Sequence, residues 1–203
     1  MVYSNLTALP GGGHVVVETS RILATNGGNH LNDVLVVTES GSGANITRTP
    51  VDCDNGTLVK VGGYTHTDKG LQERYATVAG VKDKVSLIAS VPLIKDARSS
   101  AEEAEDFFYN KAGNDSRAYE LEGDANGNGD IFGVTDNAFT TASQTNIAVD
   151  AYVVIDGNGK YVAQAAKPTM ANYGFVGQVH SIYQTNYYKL VRILVLQNVD
   201  NNN

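Results

Sequence analysis

Ala148-Val-Asp-Ala-Tyr-Val-Val-Ile-Asp-Gly-Asn-Gly-Lys-Tyr-Val-Ala-Gln164 decides the fold class. An apolar, β-branched run meets Asp156-Gly-Asn-Gly159, and a second short run follows. Glycine and asparagine tolerate the positive φ of a tight hairpin turn, so the stretch reads as two antiparallel strands. Similar runs lie on both sides. His14–Leu23, Leu31–Thr38, Thr57–Val61, Glu73–Val78, Val85–Ile94, Ser116–Leu121, Tyr173–Ile182 and Tyr187–Gln197 all read as short strands. Asp54-Asn55-Gly56 reads as another hairpin turn.

The composition agrees. Gly, Asn, Thr and Ser make up 67 of the 203 residues, and Val, at 24, leads the apolar set. Such a chain favours turns and strands over helices. One helix is expected, over about 101–111. There Ser100 and Glu103 match a capping box, and Ala101, Ala104 and Phe107/Phe108 keep helical spacing. The expectation is a mainly β protein: a compact antiparallel β-barrel or sandwich over 46–199, with this one short helix. A β-rich N-terminal arm or extension occupies 1–45, after the Gly11-Gly12-Gly13 hinge, and a polar tail covers 200–203.

Charge and cysteine usage exclude several classes. The formal charge is −7 and charged residues are only 18%. A diffuse acidic chain does not match phosphate backbones or anionic membrane surfaces, so neither nucleic acid nor membrane is an expected partner. The apolar run Leu190–Leu196 suits a strand and is far too short to span a bilayer. The N-terminus carries no basic n-region or apolar h-region, so synthesis in the cytoplasm is expected. The one cysteine, Cys53, lies between Asp52 and Asp54, where negative charge disfavours a thiolate.

Chemistry-bearing motifs are few. Asp124-Ala-Asn126-Gly-Asn128-Gly129-Asp130-Ile131 matches the first eight positions of a calcium loop, with oxygen side chains at positions one, three and five. The match stops at Thr135, where the loop needs a bidentate Glu. Asp124, Asn126 and Asn128 are therefore the candidate metal ligands and calcium the candidate ion; the competing reading is an Asn/Gly-rich surface loop. Glu102, Glu103, Glu105 and Asp106 fall in the first turns of the expected helix and read as a solvated face. His14, His30, His66 and His180 show no metal-ligand spacing. No nucleophile elbow, zinc-protease or phosphate-loop motif occurs, so no catalytic residues and no enzyme activity are expected.

Leu58-Val-Lys-Val61, Glu73-Arg-Tyr75, Lys84–Pro92, Phe107-Phe-Tyr-Asn-Lys-Ala-Gly113, Arg117-Ala-Tyr-Glu-Leu121 and Gly129-Asp-Ile-Phe-Gly-Val-Thr135 occur in that order. This series resembles small structural proteins of tailed bacteriophages, of the kind encoded beside the major capsid protein. The resemblance covers about 55–165. It implies a virion protein on the capsid exterior, a head decoration or auxiliary protein. The implied partners are the major capsid protein and further copies of the chain, in an oligomeric assembly. A fibre or carbohydrate- and receptor-binding β module, and a neck or tail component, stand as alternatives.

Overall fold

The computed structural model describes residues 14–18, 31–65, 73–91, 108–184 and 188–202. It is mainly β, with a closed barrel beside a second sheet. The barrel region comprises β1 (Leu31–Ser40), β2 (Thr47–Pro50), β3 (Leu58–Tyr64), β4 (Arg74–Val78), β5 (Ser86–Ile88) and β6 (Ser116–Glu120). The second sheet comprises β7 (Ile131–Thr135), β8 (Tyr152–Ile155), β9 (Tyr161–Gln164), β10 (Phe175–Gln184) and β11 (Lys189–Asn198). Helical structure among the described residues is limited to 3-10 turns of three residues.

β1 closes the barrel because it is long enough to serve three neighbours. Its first residues pair antiparallel with β6, from Leu31 opposite Tyr119 to Val34 opposite Ser116. Val34–Val36 pair with Arg74–Ala76 of β4, and this pair is parallel. A parallel pair needs a long crossover, which the chain supplies through β2 and β3. Val37–Ser40 then carry β2 as an antiparallel extension. The ring runs β1-β4-β3-β5-β6 and back to β1. The second sheet is antiparallel throughout, in the order β7-β11-β10-β8-β9.

Two apolar cores share a wall. Val34, Val36, Cys53, Val59, Ala76, Ile88 and Ala118 fill the barrel. A larger core joins Leu58, Leu87 and Leu121 of the barrel wall to Phe132, Phe139, Tyr161, Phe175 and Ile193 of the second sheet. Strand side chains alternate faces. So Leu58 faces one core and Val59 the other, and Leu87 and Ile88 divide the same way. That double burial explains why all three residues of β5 are buried.

Several expectations are redrawn. The strand expected at 31–38 is not part of a separable arm: Val34 and Val36 are 0% and 2% exposed inside the barrel. Residues 14–18 lie along β7, with Val17 bridging Val134 and Glu18 N–H donating to Gly133 O at 2.9 Å. Residues 1–13 and 19–30 lie outside the described residues. Of the expected helix, 101–107 lie outside them too, as do Ser100 and the acidic run Glu102–Asp106. At its expected end Asn110 instead forms an antiparallel bridge with Cys53, with main-chain bonds of 2.9 and 2.8 Å. A tertiary pairing has overridden the local helical period there.

The Asp54-Asn55-Gly56 turn forms, with Gly56 at φ 84°, but it closes no hairpin. β2 pairs with β1, not with β3. Asn55 is spent as a substitute strand partner: Nδ2 donates to Ser90 O, and Oδ1 accepts from Ser90 N, each at 2.9 Å. The Asp156–Gly159 turn does close its hairpin, β8–β9. Asp156 Oδ1 accepts from the Asn158 and Lys160 amides at 2.7 and 3.1 Å.

Candidate functional site

Three places concentrate polar side chains. The first is the loop expected to hold calcium. It sits between β6 and β7 and is pinned to β11, where Asp124 N–H donates to Val195 O and Val195 N–H donates to Asp130 O. A Cβ on Gly129 would lie 1.9 Å from Val195 O, so only glycine fits. Asp124 Oδ1 accepts from Asn126 N at 2.8 Å and from Asn126 Nδ2 at 3.0 Å, and Oδ2 accepts from Asn128 Nδ2 at 3.1 Å. The Asn126 main-chain amide, then the Asn128 side chain, hold the Asp124 carboxyl below its usual range. The structure therefore brings the three candidate ligands together, with both Asn side chains turning amide donors toward the carboxylate. Among the described residues, no group of three or more His, Cys, Asp or Glu could hold a metal ion.

The second is the barrel mouth, a cavity of about 400 Å³. All five ring strands contribute to it: Asn32, Arg74, Lys60 and Val61, Ser86, and Glu120. Arg74 lies 4.5 Å from the Tyr64 ring centroid and also donates to the Tyr64 hydroxyl at 3.2 Å. Lys84 pairs with Glu120. Lys60 pairs with Asp83 at 2.7 Å, which raises the lysine pKa. Burial pushes the Asp83 carboxyl up, but bonds from Lys60, the Gly80 amide and Asn202 outweigh it and leave the group low. The cations around this mouth are thus already engaged by protein groups.

The third lies at the junction of barrel and sheet and joins residues far apart in sequence. His14 Nδ1 stands 3.0 Å from Asp54 Oδ1 without hydrogen-bond alignment, and its ring packs 5.1 Å from that of Tyr109. Asp54 is 1% exposed. Burial lowers the His14 pKa. Burial also lowers the Lys160 pKa, against the opposing pull of Asp54 and Asp156. Lys160 Nζ reaches the main-chain oxygen of Asn137 at 3.5 Å. Asn110 Nδ2 bridges Cys53 O and Asn55 Oδ1 at 3.2 and 3.1 Å. Cys53 itself is fully enclosed; burial first, and then Asp54, push its thiol up to about 12. The sequence carries no spacing that groups positions 14, 54, 137 and 160. His180 lies exposed on β10, and His30 and His66 lie outside the described residues.

Comparisons with known proteins add nothing further: no family model, no curated protein and no solved structure matches the chain.

Proposed function

We propose that the chain is a bacteriophage virion structural protein, a decoration or auxiliary head protein. It binds the major capsid lattice through protein–protein contacts. The observation that carries this reading is β2. Every residue of Thr47–Pro50 is exposed, and among the described residues the strand is paired on one side only, to β1. Its other edge presents main-chain donors and acceptors to which a neighbour's strand can add. Pro50 and the Arg48–Glu39 ion pair, at 2.7 Å, lie on this extension. Prolines and charges at such an edge discourage indiscriminate pairing.

Two further facts support the reading. Five of the six motifs that resemble phage structural proteins overlap β3, β4, β5, β6 and β7, four barrel strands and the first strand of the sheet they pack on; the motif at 107–113 overlaps none of them. A chain rich in Gly, Asn and Thr with only 18% charged residues suits wide, wet contacts. Many modest contacts repeated on a lattice gain strength through avidity.

The test is quantitative mass spectrometry of gradient-purified particles, referenced to the major capsid protein. A copy number comparable with that protein is expected. A copy number of a dozen or fewer moves the chain to a fibre, neck or tail position, and absence from the particle refutes the virion reading.

A further inference from the structure

We infer that Lys160 and Asn137 form an intramolecular isopeptide bond that covalently staples the two outer strands of the second sheet. The observation behind it is an orphan. Asn137 is 6% exposed, and its Nδ2 is buried with no hydrogen-bond partner among the described residues. Native structures seldom leave a buried amide donor unpaired. The neighbouring groups supply a chemical reason for its state. Lys160, half-buried, reaches the same residue: its Nζ lies 3.5 Å from the Asn137 main-chain oxygen. The Thr135 hydroxyl donates to Asn137 Oδ1 at 2.6 Å. That hydroxyl is itself oriented by the Val16 amide, which donates to Thr135 Oγ1 at 3.0 Å.

Each participant has the property the reaction needs. A lysine attacks only as the neutral amine, and burial shifts Lys160 toward that form. An amide carbon is a poor electrophile unless its oxygen is stabilised as charge develops; a preset donor such as the Thr135 hydroxyl provides this. A proton must also pass from the attacking to the departing nitrogen. The buried Asp54 carboxylate, whose charge acts on Lys160, takes that proton as a base and returns it as an acid.

The step balances without a co-reactant. The Lys160 Nζ lone pair attacks Asn137 Cγ, and negative charge gathers on Oδ1 beside the Thr135 hydroxyl. The proton released from Nζ passes through Asp54 to Nδ2. The Cγ–Nδ2 bond breaks and ammonia leaves. One amide replaces another, nothing is oxidised or reduced, and the orphan donor departs with the leaving group.

The position gives the bond a purpose. β7 and β9 are the outer strands of the second sheet. Just past β7, Phe139 bridges Tyr161 in parallel, and Thr140 N–H donates to Tyr161 O at 2.8 Å. A bond from Asn137 to Lys160 locks this seam, where the sheet would otherwise open.

The experiment is mass spectrometry of the purified full-length chain. The intact mass is expected to fall short of the sequence mass by one ammonia. Cleavage before aspartates separates 136–149 from 156–199. The bond returns these two as a single branched peptide. Asn137→Ala and Lys160→Arg should each restore the full mass and both linear peptides. Asp54→Asn should lower the linked fraction by at least tenfold at equal times after synthesis. A folded wild-type chain, judged by its far-ultraviolet β signal, at full sequence mass overturns the inference. So does an ammonia deficit with the two peptides separate, which instead places the loss at an Asn-Gly turn.

Discussion

Asn198 is the side chain on which the contact between the two sheets turns. It ends β11 and is 8% exposed. Its Oδ1 accepts from Val85 N at 2.8 Å, while Nδ2 donates to Val85 O at 2.8 Å and to Leu121 O at 2.7 Å. Replacing it with alanine strips three main-chain groups of their partners at once. A hydrogen bond contributes a net of about 0.5–1.5 kcal/mol, and a buried group left unpaired costs about 1–3 kcal/mol. Water entering the new space recovers part of that. The expected loss for Asn198→Ala is about 3 kcal/mol. At about 2–4 °C per kcal/mol for a chain of this size, the melting midpoint falls by about 6–12 °C. Urea unfolding followed by circular dichroism measures it. Asn198→Asp sharpens the test, since it keeps the acceptor for Val85 N–H but sets an oxygen against two carbonyls. The carboxyl in the folded state is then pushed above its unfolded value of about 3.9. A raised folded pKa means stability is greatest at low pH and falls as pH rises through that window. The Asp variant should therefore lose stability relative to wild type between mildly acidic and neutral pH. An alanine variant within about 1 kcal/mol of wild type, or an Asp variant with no such pH dependence, refutes the reasoning.

Tyr161→Phe removes the hydroxyl that donates to Gly56 O at 2.7 Å and leaves the ring among Phe132, Phe139 and Phe175; a loss of about 1–2 kcal/mol is expected in urea, and no loss would show that this link adds nothing. His14 has its pKa lowered by burial, facing Asp54 and Tyr109. Neutral His14 therefore favours the fold above about pH 6.5, and this contribution fades as pH drops below that value; His14→Gln should flatten the stability slope between pH 7 and pH 5. Cys53, with its thiol pushed up to about 12, should resist maleimide labelling in native buffer and react fully in guanidinium; rapid native labelling would contradict its enclosure. The 124–130 loop should give the same melting midpoint in calcium and in chelator, because Asp124 is already satisfied by Asn126 and Asn128. An upward shift in calcium would show binding to the native state.

The parts of the fold that were legible in the sequence are local. β8 and β9 flank their own turn, β10 and β11 form a hairpin, and short runs rich in β-branched and apolar residues mark all four. What escaped was non-local. Nothing near Leu31–Ser40 announces a parallel pairing with β4 some forty residues on. Asn110 falls within the expected helix, yet its partner, Cys53, is 57 positions away. Asn55 has the chemistry of a hairpin turn and is drawn instead to Ser90. The junction of His14, Asp54, Asn137 and Lys160 was illegible for the same reason. Its character comes from burial and from an amide with no partner among the described residues, and neither has a sequence period.

The shared wall determines how the molecule bears load. Leu58 and Val59 are neighbours in the chain and lie in different cores, and so do Leu87 and Ile88. Emptying either core bares one face of β3 and β5, so neither sheet can loosen while the other stays packed. A pull on the exposed β2 edge passes into β1, whose Val34 and Val36 are held inside a closed ring. A closed ring has no edge strand to peel first. The second sheet is open, and its weak place is the seam between the end of β7 and β9. There the chain has placed a parallel bridge, a buried aromatic cluster around Tyr161, and the Lys160–Asn137 pair. Under the proposed strand-addition role, load entering at β2 would reach this seam through the shared wall, where the main-chain ladder alone would be the first to part.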